Sequence, residues 1–321
     1  MKKKPIPERL AAMRQFMKEK QLDAFIVPST DAHLSEYPPK YWESRKWITG
    51  FTGSAGTAVV TNEKAGVWTD SRYFLQAADE LEGTGFDLFK MGQPGTPEMT
   101  DWIIEQVSQG GTVGIDGLVY AASEGNALKS RLEAVGIKLN TSFDPFEVIR
   151  EERPEIPRNK VFTLPVDVAG ESVTSKIDRV NGELKKLNAD GAIVVTLDTI
   201  AWLFNLRGND VDYNPVAVAY AYVSEKETVL FIDPEKLTDE IAAAYKKQGI
   251  KIAPYQAIFD YVVNLPESSS VCVTGSKINY KLRHTIPASC RVIDVPSPLD
   301  LMKSVKNETE LKGFRNAMVK D

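Results

Sequence analysis

Asp190-Gly191-Ala192-Ile193-Val194 is a short apolar run behind a helix-period stripe, Val173, Ile177, Val180, Leu184 and Leu187, and the same two signals open the chain. There Pro7 sits where a first helical turn tolerates it, and Leu10, Met13 and Met17 recur at helical spacing. Asp23-Ala24-Phe25-Ile26-Val27 then reads as a buried strand. Helix followed by buried strand is therefore used twice.

The repetition extends beyond the strands. Trp47-Ile48-Thr49-Gly50-Phe51 leads into Thr57-Ala58-Val59-Val60-Thr61, as Asn205-Leu206-Arg207-Gly208 leads into Val216-Ala217-Val218-Ala219-Tyr220. Each half then makes a hairpin, through Asn62-Glu63-Lys64-Ala65 into Gly66-Val67-Trp68-Thr69 and through Ser224-Glu225-Lys226-Glu227 into Thr228-Val229-Leu230-Phe231-Ile232. A helix follows each hairpin. Further strands are read at Phe86–Phe89, Val113–Ile115, Lys251–Ala253 and Val271–Val273, an order that fits mixed α/β sheets covered by helices. The charged, proline-bearing stretch Arg150–Arg158 suits a linker between the halves. Near the end, Asn307 and Glu310 have capping-box spacing ahead of Leu311, Phe314 and Met318, a helix whose apolar face needs something beyond its own domain to cover it. The alternative is a helix docked back on the second domain.

Composition narrows the function classes. With 321 residues, 43% apolar and 26% charged, the chain is a globular protein of two domains. Lys and Arg number 39 against 44 Asp and Glu, so no basic excess exists to follow nucleic acid or an anionic membrane. The basic start, Met1-Lys2-Lys3-Lys4, is followed by Pro5-Ile6-Pro7, not by a signal peptide's apolar run, and no later run is long enough to span a membrane. Cys272 and Cys290 are too few for a disulfide framework and read as cytosolic thiols, while His33 and His284 stand apart from any second ligand at metal spacing.

No nucleophile elbow, His-Glu-Xaa-Xaa-His or phosphate loop is present. Gly50–Thr57 is glycine-rich, but it precedes a strand and hairpin where a dinucleotide fingerprint must open a helix; Ser54 and Thr57 are expected to satisfy loop amides. Asp31–Tyr37 gathers polar groups just after the first strand, a common place for functional loops, and His33 there is read either as a structural hydrogen bonder or as lying at the edge of an active site. Asp70 is placed to cap the helix beginning at Thr69-Asp70-Ser71-Arg72-Tyr73-Phe74, with Arg72 projecting from the first turn. A guanidinium there suits gripping a carboxylate or carbonyl, not acid–base work, though a solvated or Asp70-paired arginine is the plainer reading. Ile200–Asp210 is apolar and ends in a polar turn, where Arg207 is read as bridging domains with Asp210 and Asp212 as partners.

Four stretches together carry a family resemblance: Pro28–Tyr37, Gly53–Thr57, Trp68–Ala77 and Ile200–Gly208. The chain resembles the cytosolic three-domain Xaa-Pro aminopeptidases of the creatinase/prolidase family. The resemblance implies two tandem, mutually similar α/β domains with mixed sheets flanked by helices, at 1–155 and 156–300, with 301–321 as the linker and entry helix of a "pita-bread" catalytic domain. It implies a cytoplasmic, usually dimeric enzyme that removes the residue preceding a proline, using two divalent metals, commonly manganese, held outside this chain. Of this chain's residues it implies a role for Arg72 alone, as a substrate-binding group; no catalytic residue or metal ligand is carried over, and the chain alone is expected to be inactive. A prolidase or creatinase relative is a second reading, against which the tandem domains and Trp202–Gly208 speak. A catalytically inactive pita-bread protein serving as a binding module is a third.

Overall fold

The structure, a computed structural model, describes residues 4–320. Two compact units form: one runs to Ile156 and includes Asn279–Lys281, and the other comprises Pro157–Ile278 and the chain from Leu282 onward.

The first unit contains β1 (Ala24–Val27), β2 (Thr57–Thr61), β3 (Ala65–Thr69), β4 (Asp87–Lys90), β5 (Thr112–Ile115) and β6 (Lys138–Asn140). The second adds β7 (Phe162–Thr163), β8 (Gly191–Val194), β9 (Leu206–Arg207), β10 (Ala219–Ser224), β11 (Thr228–Ile232), β12 (Ile250–Ala253), β13 (Ser270–Val273) and β14 (Arg291–Asp294). Strand order is β4-β3-β2-β1-β5-β6 in one sheet and β12-β11-β10-β8-β13-β14 in the other, so the two follow the same plan. Strands β7 and β9 form a separate two-stranded antiparallel sheet.

Both sheets are mixed: β1 pairs antiparallel with β2 but parallel with β5, as β8 pairs antiparallel with β10 but parallel with β13. All four residues of β1 and of β8 are buried, which is why each reads as a continuous apolar run. Alternation still sorts the side chains: Phe25 and Val27 pack with Leu10, Met13 and Met17 of the Ile6–Glu19 helix, whereas Ala24 and Ile26 join Trp68, Trp102 and Leu128. In the second unit Val180 and Leu184 of the Val173–Lys186 helix pack with Ala192 and Val194, and Ile177 and Leu187 lie partly buried beside them.

One strand lies elsewhere than the sequence suggests. Val216, Ala217 and Val218 are buried, but the ladder begins at Ala219, because the Val218 amide donates to Asp210 Oδ2 at 2.7 Å instead of to a strand. The expected C-terminal capping box forms: Asn307 N donates to Glu310 Oε2 and Glu310 N to Asn307 Oδ1, each at 2.9 Å. The helix it opens, Glu308–Lys320, buries no residue and leaves Phe314 and Met318 exposed.

Each hairpin ends in the same device, a short 3-10 turn capped by an aspartate. Asp70 Oδ1 accepts the Arg72 amide at 3.1 Å before Ser71–Tyr73, and Asp233 Oδ1 accepts the Glu235 amide at 3.0 Å before Pro234–Lys236.

Candidate functional site

In strand order β1 connects toward one edge of the first sheet and β5 toward the other, and the carboxyl ends of strands at such a reversal are where open α/β sheets commonly take ligands. Ser29 Oγ donates to Gly56 O at 2.5 Å, and Thr30 Oγ1 donates to Val119 O. Asp31 is fully buried and folds the loop around itself: its Oδ1 accepts the amides of His33 at 2.8 Å and Ser35 at 2.9 Å. Leu34, at φ 58°, supplies the left-handed turn this requires. His33 is 1% exposed, with its ring edge-on to Trp42 at 6.3 Å. The structure therefore places His33 inside its loop, not on the open surface. Asp116 lies just past β5; its Oδ1 accepts the Leu118 amide at 2.8 Å, and burial, followed by Asp144, pushes its carboxyl up to about 7.

The glycine-rich loop before β2 is held from several directions. Arg45, 4% exposed, donates from Nε to Ser29 Oγ at 2.9 Å, from one Nη to Phe51 O at 2.6 Å and from the other to Gly53 O, with its guanidinium over the Phe51 ring. Thr52 gives both its amide and its hydroxyl to Glu80, and Thr69 Oγ1 donates to Ala55 O at 2.7 Å. Ser54 Oγ lies 2.7 Å from Tyr73 Oη, so this hydroxyl serves a side chain and not the loop amide expected of it. A Cβ on Gly53 would fall 2.3 Å from Phe51 Cζ and 2.7 Å from Tyr73 Cδ1, which explains the glycine there.

This scaffold carries Arg72. Its Nε donates to Asp70 Oδ1 and one Nη to Asp70 Oδ2, both at 2.8 Å, and its guanidinium lies 5.2 Å from the centre of the Tyr73 ring. Although 61% of the side chain is exposed, its head group is oriented by two neighbours in sequence, Asp70 and Tyr73. The hydrogen bonds from Arg72 hold the Asp70 carboxyl below its ordinary value, and the Arg72 guanidinium is correspondingly harder to deprotonate. Arg72 and His33 thus differ in kind: one is an oriented surface donor, the other a buried loop residue.

In the second unit the polar turn after Leu206 does not follow the expected pairing. Arg207 donates to the carbonyls of Ala201 and Leu206, while Asp210 pairs with Lys236, both side chains fully enclosed. The Ile200–Asp210 aromatics lie in the core, with Trp202 7% and Phe204 0% exposed. Lys176 is also interior; its ammonium donates to Trp202 O at 2.8 Å and Asn205 Oδ1 at 2.6 Å, compensating carbonyls near the end of the Leu197–Leu203 helix. Arg45, Lys176 and Lys236 are not marked by any motif; each is a single cation whose burial depends on carbonyls or a carboxylate brought near only by folding.

Among the described residues no group of three or more His, Cys, Asp or Glu side chains is arranged to hold a metal ion. Cys272 and Cys290 are free and buried.

Two family models, both described as "Creatinase/Prolidase N-terminal domain", match in succession, at residues 9–152 and 152–310. A "Probable Xaa-Pro aminopeptidase P" of Pyricularia oryzae is 36% identical across 100% of this chain and 54% of its own length. "Xaa-Pro aminopeptidase 1" of Dictyostelium discoideum is 34% identical, with 100% and 52% covered. The solved X-prolyl aminopeptidase of Caenorhabditis elegans, described as a cytosolic enzyme with a di-nuclear active site, superposes with a TM-score of 0.91 at 31% identity, over 97% of this chain and 53% of that one. The chain spans about half the length of the curated relatives it matches. Matched in both halves by the same kind of domain, the chain belongs to the creatinase/prolidase family as a tandem pair of its N-terminal domains.

Proposed function

We propose that this chain is the non-catalytic N-terminal region of a cytoplasmic Xaa-Pro aminopeptidase, which hydrolyses the N-terminal residue from peptides with proline second. The observation that carries the reading is that all of this chain aligns with about half of proteins named Xaa-Pro aminopeptidase. Residues 1–155 and 156–300 are its two accessory domains, and 301–321 leads into the catalytic half. The exposed apolar residues Phe314 and Met318 on the last helix support that continuation.

The described residues do not fit a pair of metal ions, so the metals, manganese in this reading, are assigned to residues outside this chain. Arg72 contributes substrate contact: its head group is exposed, permanently charged and already oriented, so a peptide oxygen meets it with little side-chain ordering left to lose. His33 supports the loop at the carboxyl end of β1 from within. The full protein acts as a homodimer, and these domains limit access to its site. No described helix is long and apolar enough to cross a membrane.

The test compares this chain with the full-length protein for manganese-dependent release of the first residue of an Xaa-Pro peptide. Activity is expected only in the longer protein; turnover by the chain alone overturns the assignment. Arg72→Ala in the full-length protein is expected to raise KM about tenfold, the loss of one charge-assisted hydrogen bond.

A further inference from the structure

Asp70 does more than cap a turn. Its two oxygens take the side-on edge of the Arg72 guanidinium, Oδ1 from Nε and Oδ2 from one Nη, both at 2.8 Å. Side-on pairing is a preferred way for arginine to grip a carboxylate, and here that edge is already filled. The remaining donors are the N–H groups of the other Nη and the outer N–H of the first, on a guanidinium whose charge is offset at contact distance. The arrangement is anchored: Asp70 follows Thr69, fully buried and bonded to Ala55 O, while Tyr73 beside the guanidinium is bonded to Ser54.

A ligand carboxylate approaching these donors meets the negative charge of Asp70 as well as the positive charge of Arg72. A neutral carbonyl oxygen needs only the N–H groups and meets no net repulsion. We propose that Asp70 is a specificity-determining residue that tunes Arg72 to accept a peptide carbonyl in preference to a terminal carboxylate. This rests on the reading of Arg72 as a substrate contact. Asp70 itself touches no substrate; it acts through the direction and net charge of its partner.

The experiment uses the full-length protein and one Xaa-Pro-Xaa tripeptide as its free acid and as its C-terminal amide. Asp70→Asn keeps an oxygen for the Arg72 amide and removes the charge; Asp70→Ser keeps the cap with a smaller group and serves if the first variant fails to fold. The expected result is that kcat/KM shifts toward the free acid relative to the amide by about fivefold, mainly through KM. If Arg72→Ala weakens both substrates but neither Asp70 variant moves the acid-to-amide ratio, the proposal fails while the substrate role of Arg72 stands. If Arg72→Ala alters neither substrate, both fall together.

Discussion

The ammonium of Lys236 meets the carboxylate of Asp210 with 1% and 0% of their side chains exposed, and that carboxylate also accepts the Val218 amide. Burial draws the lysine below its ordinary pKa, and Asp210 only partly opposes this. Removing one partner strands a charge in the interior. Lys236→Met is expected to lower unfolding stability by about 3–5 kcal/mol. Lys236→Met with Asp210→Asn should recover much of that loss, because the amide still accepts from Val218 and no charge is left unpaired. Urea unfolding of the three proteins measures the difference; a single variant as stable as the parent contradicts this account.

Lys176 makes a pH signature. Burial lowers its pKa from 10.5 to about 8, with Glu310 and Glu171 opposing the shift. Below about pH 8 the lysine is charged in both folded and unfolded chains and contributes a constant amount. Between about 8 and 10.5 the unfolded chain holds more of this proton, so unfolding free energy should rise with pH across that window. Subtracting the same curve for Lys176→Met isolates the effect from the other lysines and tyrosines. A flat difference from pH 8 to 10 would exclude it.

Arg45 crosslinks two loops through Ser29, Phe51 and Gly53, and desolvation brings its pKa down to about 10. Arg45→Ala leaves buried acceptors without donors and should cost about 3 kcal/mol or more. Arg45→Lys should recover less than half, because an ammonium cannot reach the same three acceptors in one plane. Full rescue by lysine in a denaturant titration would show that charge, not fork geometry, matters.

Gly66 lies under an aromatic stack. A Cβ there would stand 2.4 Å from Phe89 Cε2, and Phe89 is held against Trp68 with centroids 4.1 Å apart and planes 5° from parallel. Gly66→Ala is expected to destabilise the first unit by about 1–3 kcal/mol through overpacking. Adding Phe89→Leu should make the alanine cheaper, a positive coupling that a double-mutant cycle on thermal unfolding would detect. Additive losses would mean that the strain lies elsewhere.

The repeated fold was legible because burial imposes periodicity. Val173, Val180 and Leu184 had to share one helix face, and Ala24–Val27 had to be apolar throughout because both sides of the strand are covered. The capping box at Asn307 and Glu310 was legible for a similarly local reason: its partners are three residues apart. The start of β10 was not, since Val216–Val218 are as buried as strand residues and only the fold reveals that Asp210 has claimed an amide. Proximity in sequence points Arg207 to Asp210 and Asp212, yet Lys236, 26 positions away from Asp210, holds the Asp210 carboxylate. At the candidate site the sequence marked Arg72 and the possibility of pairing with Asp70, whereas the clamp by Arg45 depends on carbonyls that no residue type announces.

The two aspartate-capped turns begin alike and diverge at the next exposed side chain. Asp70-Ser71-Arg72 offers a cation to solvent; Asp233-Pro234-Glu235 offers an anion, with Arg158 near both acidic groups, and the following Lys236 points into the core. The chain thus holds an internal control for its own candidate site. Whatever the two turns share is owed to closing a hairpin, and whatever only the first possesses is owed to something other than the fold the two halves have in common.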